Sequence, residues 1–169
     1  MPDRQVGRRR GLTSYGDEGF SAFMRRAFAK GMGYTDEDIR RPVIGICNSW
    51  SELNHCKSSL RTLAEAVKRG VWQAGGWPLE FPTISLGEIF ISPTAMLYRN
   101  LMAMDTEEMI QAQPIDGVVL LANCDKTTPA QPMDAVSAYV PAIMVTGGPM
   151  LGGRWQGQAL VACTECRRY

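Results

Sequence analysis

The sequence predicts an α/β protein, a parallel sheet flanked by helices. Three observations carry that expectation. Short apolar runs at residues 43–47, 117–122 and 142–146 have the length and composition of buried strands. Leu60, Leu63, Ala64, Val67 and Val71 recur at helical spacing and make one apolar stripe. The two kinds of segment alternate, which is the pattern of parallel strands joined by helices that cover both faces. Residues 1–40 read as an arm and a short helix, and residues 41–169 as the α/β region.

Taken in order, the first helix spans residues 20–30, and Gly31 and Gly33 are its stop signals. Arg41-Pro42 leads into the first strand at 43–47. The striped helix covers residues 58–74 and ends at Gly75-Gly76, with Lys68 and Arg69 off the stripe. A second strand is expected at 79–84, with Pro82 as a feature foreign to a central strand. Residues 93–104 read as a helix. Asp105 is a cap for another, with Glu108 three residues on as its capping-box partner. The third strand, 117–122, is the clearest. Thr128-Pro129 starts a further helix, threonine as cap and proline in the first turn, with Pro132 close behind. Residues 142–146 form the fourth strand. Two helices separate strands two and three, so the strand order is not readable from the sequence.

Composition narrows the function classes. A 169-residue chain is one domain or part of one, and a domain of this size buries roughly two-thirds of its unfolded surface. The net charge of +1 gives no electrostatic footprint for nucleic acid. Arg4, Arg8, Arg9 and Arg10 cluster at the start, as a solvated arm or as a subunit contact. No apolar run is long enough to span a bilayer, and no apolar stretch of a secretory signal follows the arginines. The expectation is a cytoplasmic protein without a membrane partner. Five cysteines, an odd number, argue against a disulfide framework and leave metal ligation or packing.

In parallel sheets, ligands gather outside the carboxyl ends of the strands. The loop after strand one carries Asn48, Ser49, Trp50 and then Glu52-Leu53-Asn54-His55-Cys56. The loop after strand two carries Ser85-Leu86-Gly87-Glu88. The loop after strand three carries Asn123-Cys124-Asp125-Lys126, and the loop after strand four Gly147-Gly148-Pro149-Met150. Two thiols, two carboxylates and a lysine are thus placed to converge. Thiolates suit iron–sulfur clusters and carboxylates suit magnesium, so the two kinds together point to a cluster beside a hard cation. Each residue has a plainer reading. Cys47, Cys56 and Cys124 are small apolar residues for packing. Glu88 is a solvated acid, and Asp125 with Lys126 is a surface ion pair. His55, the only histidine, is a polar loop residue. Cys163 and Cys166 form a C-x-x-C, half of a zinc site or a redox pair without a second half.

The stretches PVIGICNSWSELNHC, GGWPLEFPTISLGE, PTAMLYRNL, PIDGVVLLANCDKTTPA and VPAIMVTGGPMLGG change these weights. They resemble the dihydroxy-acid dehydratase and phosphogluconate dehydratase family, and are most similar to its sugar-acid branch of arabinonate and xylonate dehydratases. The match runs from Phe20 to Gly153. The resemblance implies a hydro-lyase that converts a 2,3-dihydroxy sugar acid to a 2-keto-3-deoxy acid, with a 2Fe–2S cluster and a magnesium ion. It implies that Cys56 and Cys124 are two of three cluster cysteines and that Glu88 and Asp125 bind magnesium. Lys126 matches the lysine that is carbamylated and binds magnesium too. A homo-oligomer is also implied.

Some features depart from the family. Leu53-Asn54-His55 stands where the family has a TPC-like run ending at the cysteine, and the tail LVACTECRRY follows no family pattern, so Cys163 and Cys166 inherit no role. The family's third cysteine, a further glutamate and the serine base match no residue up to Tyr169, nor does its barrel-like second domain. Residues 41–169 are therefore expected to be part of the amino-terminal cluster- and magnesium-binding domain, inactive alone. Branched-chain dihydroxy-acid dehydratase is a competing reading, ranked lower because its pattern has S-D-G-I where this chain has Ser85-Leu86-Gly87-Glu88. A non-catalytic α/β binding module is the third.

Overall fold

Strands that are apolar on both faces must be covered on both faces, and the two clearest of them occupy the middle of the sheet. In the computed structural model, which describes residues 7–12, 16–149 and 152–160, β1 (Val43–Asn48) and β3 (Gly117–Ala122) pair in parallel, Gly45 opposite Val118 and Cys47 opposite Leu120. β2 (Trp77–Pro82) lies outside β1, and β4 (Ala142–Thr146) outside β3. All pairings are parallel, and the order is β2-β1-β3-β4.

Side chains alternate across a strand, so each face has its own helices. On one face α3 (Leu60–Gln73) packs Leu60 and Ala64 against Ile46, Val119 and Leu121. On the other, Ile110 of α4 (Met96–Ala112) and Ala135 of α5 (Thr127–Ser137) pack on Cys47, Val118 and Leu120. Crossover handedness accounts for the division. The step from β1 to β2 runs in one direction across the sheet, and the steps to β3 and β4 run in the other. Right-handed connections then put α3 on one side and α4 and α5 on the other. Before β1, Ala29 of α1 (Glu18–Gly31) and Ile39 of α2 (Asp36–Arg40) cluster with Val43, Trp77 and Ile115. The α/β class is as expected.

Several boundaries differ from the sequence reading. β2 starts at Trp77, two residues early, because Trp77 N–H donates to the Pro42 carbonyl at 2.8 Å as soon as the chain leaves Gly76. It is an edge strand, where Pro78 and Pro82 are tolerated. The two helices expected at 93–104 and from Asp105 are one helix, α4. Asp105 is no cap: its carboxylate accepts from Thr83 Oγ1 at 2.7 Å and from Ile84 N–H at 3.3 Å, fastening the chain that leaves β2. α5 begins at Thr127, and the hydroxyl of Thr128 donates to the Cys124 carbonyl at 2.7 Å instead of capping. Two features went unforeseen. One is α2, closed by a capping box between Thr35 and Asp38. The other is the hairpin of β5 (Gly153–Trp155) and β6 (Gln158–Leu160), whose turn residues Gln156 and Gly157 both have positive φ.

The basic start is also corrected in part. Arg8 donates to the Ala22 carbonyl at 3.1 Å and Arg10 to that of Ile115, while Arg25 donates back to the carbonyls of Arg8 and Arg10 at 2.6 and 2.5 Å. These side chains bind within the chain rather than standing free in solvent. Arg4, Cys163 and Cys166 lie outside the described residues. Among the described residues no helix is long and apolar enough to cross a membrane.

Candidate functional site

β1 leads into α3 on one face and its neighbour β3 leads into α5 on the other. The chains leaving their carboxyl ends therefore diverge to opposite faces of the sheet. Such a switch point is where open α/β sheets bind ligands. The loop after β1 brings Cys56 there in a 3-10 turn, His55–Lys57. The loop after β3 brings Cys124. Both thiols are free and half-buried, and they lie near enough for Cys56 to act on the ionisation of Cys124.

Polar side chains hold these loops in register. Asn123 donates to the Cys56 carbonyl at 2.7 Å and to the Gly148 carbonyl at 3.1 Å, joining the loops after β1, β3 and β4. Asn54, buried, donates to Ser85 Oγ at 2.8 Å, and Ser85 donates to the Ser49 carbonyl at 2.8 Å. This ties the loop after β2 to the loop after β1. Gly87 is required there: a Cβ on it would stand 1.4 Å from Asn54 Oδ1. Cys124 itself has φ of 77°, the left-handed region that costs a side chain about 1 kcal/mol or more. Its carbonyl, accepting from both the N–H and the hydroxyl of Thr128 at 3.0 and 2.7 Å, fixes that conformation.

Beside the thiols is a charged group. Lys126, at the amino end of α5, has its ammonium 2.7 Å from Asp125 Oδ2 and 3.1 Å from Glu88 Oε2. Thr94 Oγ1 donates to the other oxygen of Glu88 at 3.1 Å. The hydrogen bond from Lys126 holds the Asp125 carboxyl below its ordinary range, and Asp125 and then Glu88 raise the Lys126 ammonium. Burial, and then the neighbouring Cys56 thiol, push Cys124 up to about 11. A thiol so placed ionises when a cation compensates it.

The structure thus brings Cys56 to Cys124 and Glu88 to Asp125 and Lys126, and residues 124–126 join the two groups. His55 is exposed. Cys47 is fully buried on the α4–α5 face, its thiol pushed up to about 12 by burial, so packing is its role. Among the described residues no group of three or more His, Cys, Asp or Glu is placed to hold a metal ion. The donors present fit two positions of a thiolate site and a partial oxygen site. Sequence reading passed over Lys57. Its side chain is 0% exposed, its ammonium donates to Thr127 Oγ1 at 2.8 Å, and burial pushes its pKa down to about 8. The asparagines Asn54 and Asn123 were also passed over. Their place two residues and one residue before a cysteine was the available signal.

Residues 41–169 match the family described as dihydroxy-acid/6-phosphogluconate dehydratase, amino-terminal. The chain is 54% identical to L-arabonate dehydratase of Azospirillum brasilense over 145 residues, 85% of this chain and 25% of that protein. It is 48% identical to L-arabinonate dehydratase of Rhizobium leguminosarum bv. trifolii over 156 residues, 92% of this chain and 27% of that protein. It is 43% identical to dihydroxy-acid dehydratase of Caldicellulosiruptor saccharolyticus over 142 residues, 81% of this chain and 26% of that protein. The chain spans about a quarter of the length of these curated relatives.

Proposed function

The chain belongs to the dihydroxy-acid/6-phosphogluconate dehydratase family, and on that premise we propose that the protein acts as a sugar-acid dehydratase. It would remove water from a 2,3-dihydroxy aldonate and leave a 2-keto-3-deoxy acid. The observation that carries the reading is the contiguity of Cys124, Asp125 and Lys126, with Cys56 on one side and Glu88 on the other. Soft and hard donors are thereby set side by side at a sheet edge. The sugar-acid branch is supported by Ser85-Leu86-Gly87-Glu88 and by 54% identity to an arabonate dehydratase against 43% to a dihydroxy-acid dehydratase.

In this reading Cys56 and Cys124 hold a 2Fe–2S cluster, and Glu88, Asp125 and a carbamylated Lys126 hold magnesium. Two carboxylates already converge on the Lys126 ammonium, so the position collects positive charge. Carbamylation would reverse the charge of Lys126 and set three anions together, an arrangement that needs a divalent cation. The same exchange removes a cation from the amino end of α5, where the helix dipole opposes it. When bound, the two centres supply Lewis acids, one for the enolate-like charge at the alpha carbon and one for the departing beta-hydroxyl. Asn123, Asn54 and Ser85 hold the donor loops at fixed separation.

Cytoplasmic location is part of the proposal, supported by an odd number of cysteines with no disulfide framework in the sequence. So is a homo-oligomer, supported by exposed Phe23 and Phe28 on α1 and Leu97 and Leu101 on α4. The test is a 2-keto-acid assay of the full-length protein, reconstituted anaerobically with iron, sulfide, magnesium and bicarbonate, on pentonates, hexonates and dihydroxyisovalerate. Turnover of an aldonate is expected. Preference for dihydroxyisovalerate would overturn the branch, and absence of turnover on every acid would overturn the activity.

A further inference from the structure

A buried ammonium without a counter-charge is costly, so the structure around one shows where negative charge is expected. Lys57 is such a group. It is 0% exposed, and its hydrogen bond goes to a neutral oxygen, Thr127 Oγ1, at 2.8 Å. Among the described residues no carboxylate comes within 4.0 Å of it. The acidic groups that act on it are the thiols of Cys56 and Cys124. Thr127 opens α5, so the ammonium lies at the positive end of that helix, which begins three residues after Cys124. One of the three N–H donors of the ammonium is used by Thr127.

We propose that Lys57 is a positioning residue of the thiol site: its buried ammonium, anchored on Thr127, is the fixed counter-charge of Cys56 and Cys124 when they ligate as thiolates. The inference rests on the reading of that pair as cluster ligands. Each ligating thiolate contributes one negative charge, and a one-electron reduction of the bound cluster adds another. A cation fixed nearby in a medium of low dielectric favours the more negative, reduced form. Removing it must lower the reduction potential. A residue that served packing alone would leave the potential unchanged.

The experiment loads the full-length protein with iron and sulfide anaerobically and follows cluster absorption in a redox titration. Wild type is compared with Lys57→Met, which keeps length and removes charge, and with Thr127→Val, which keeps volume and removes the anchor. Lys57→Met is expected to lower the reduced-to-oxidised ratio at a given potential at least tenfold, a shift of about 59 mV for one electron. Thr127→Val is expected to shift it in the same direction by a smaller factor. Cluster absorption in the wild type with unshifted potentials in both variants would overturn the role of Lys57 alone. Should Lys57→Met fail to fold, an unshifted Thr127→Val would overturn it equally. A wild type that takes up no iron would overturn the ligand reading and this inference together.

Discussion

Asn123 reaches from the end of β3 to the backbone of Cys56, its amide donating to that carbonyl at 2.7 Å. One side chain thereby fixes the distance between the two loops that carry the thiols. Asn123→Ala leaves the carbonyls of Cys56 and Gly148 without this donor. The expected cost is about 1–3 kcal/mol, read as a lower urea midpoint. Iron bound per chain should fall with it. An unchanged midpoint and full iron content would show that the loops hold their spacing without the amide.

Gly87 and Asn54 are matched in the same way. A methyl group at 87 overlaps Asn54 Oδ1, and Asn54 is buried and bonded to Ser85. Gly87→Ala should destabilise by roughly 1–3 kcal/mol through overpacking. Because the clash is with one side chain, Asn54→Ala in the same chain should recover part of the loss, giving a coupling energy of roughly 0.5 kcal/mol or more. Additive effects in that double-mutant cycle would place the clash elsewhere.

Asp134 on α5 supplies a pH dependence. It is 2% exposed, its Oδ2 has no hydrogen-bond partner, and burial, then Glu107 and Asp105, raise its pKa to about 7. A carboxyl with a folded pKa above its unfolded value holds its proton more tightly when folded. Its penalty is absent below about pH 4, grows as pH rises, and is complete above about pH 7. Asp134→Asn should match wild type near the acid end and exceed it by roughly 2–4 kcal/mol at about pH 8. Denaturant titrations at the two pH values check this. An equal difference at both would assign the effect to packing.

For the 169-residue chain alone the expected turnover is none. Of the described cysteines, Cys47 is walled off in the core, which leaves two thiols for a cluster that family resemblance gives three. Catalytic groups that act as a unit do not lose activity in proportion, since removing one costs nearly as much as removing all. The chain, reconstituted with iron, sulfide, magnesium and bicarbonate, is assayed on the same acids. Turnover near that of the full-length protein would mean a third ligand within this chain, with Cys163 and Cys166 the first residues to replace.

Elements carried by local pattern were legible in the sequence. The stripe from Leu60 to Val71 gives α3, and the run at 117–122 gives β3, because burial on one face or both writes itself into spacing. Elements decided by partners distant in the chain were not. Asp105 has the look of a cap until Thr83 claims its carboxylate, and the strand order depends on pairings that no periodicity encodes. At the site, Cys56, Glu88, Cys124, Asp125 and Lys126 were legible as loop residues that follow strands, and only the family resemblance singled them out from their plainer readings. Lys57 was missed because lysine is so seldom fully buried that its type argues for the surface. Only the path of the 3-10 turn, which swings its side chain under Thr127, reverses that expectation.

The left-handed backbone of Cys124 sets selection for stability against selection for chemistry at a single codon. Glycine fits φ of 77° without penalty, so Cys124→Gly relieves the local strain as it deletes a thiol. A lineage released from any need for the site would gain folding stability by its first substitution there. Cysteine at that position is thus held against the backbone preference, in exchange for its thiol.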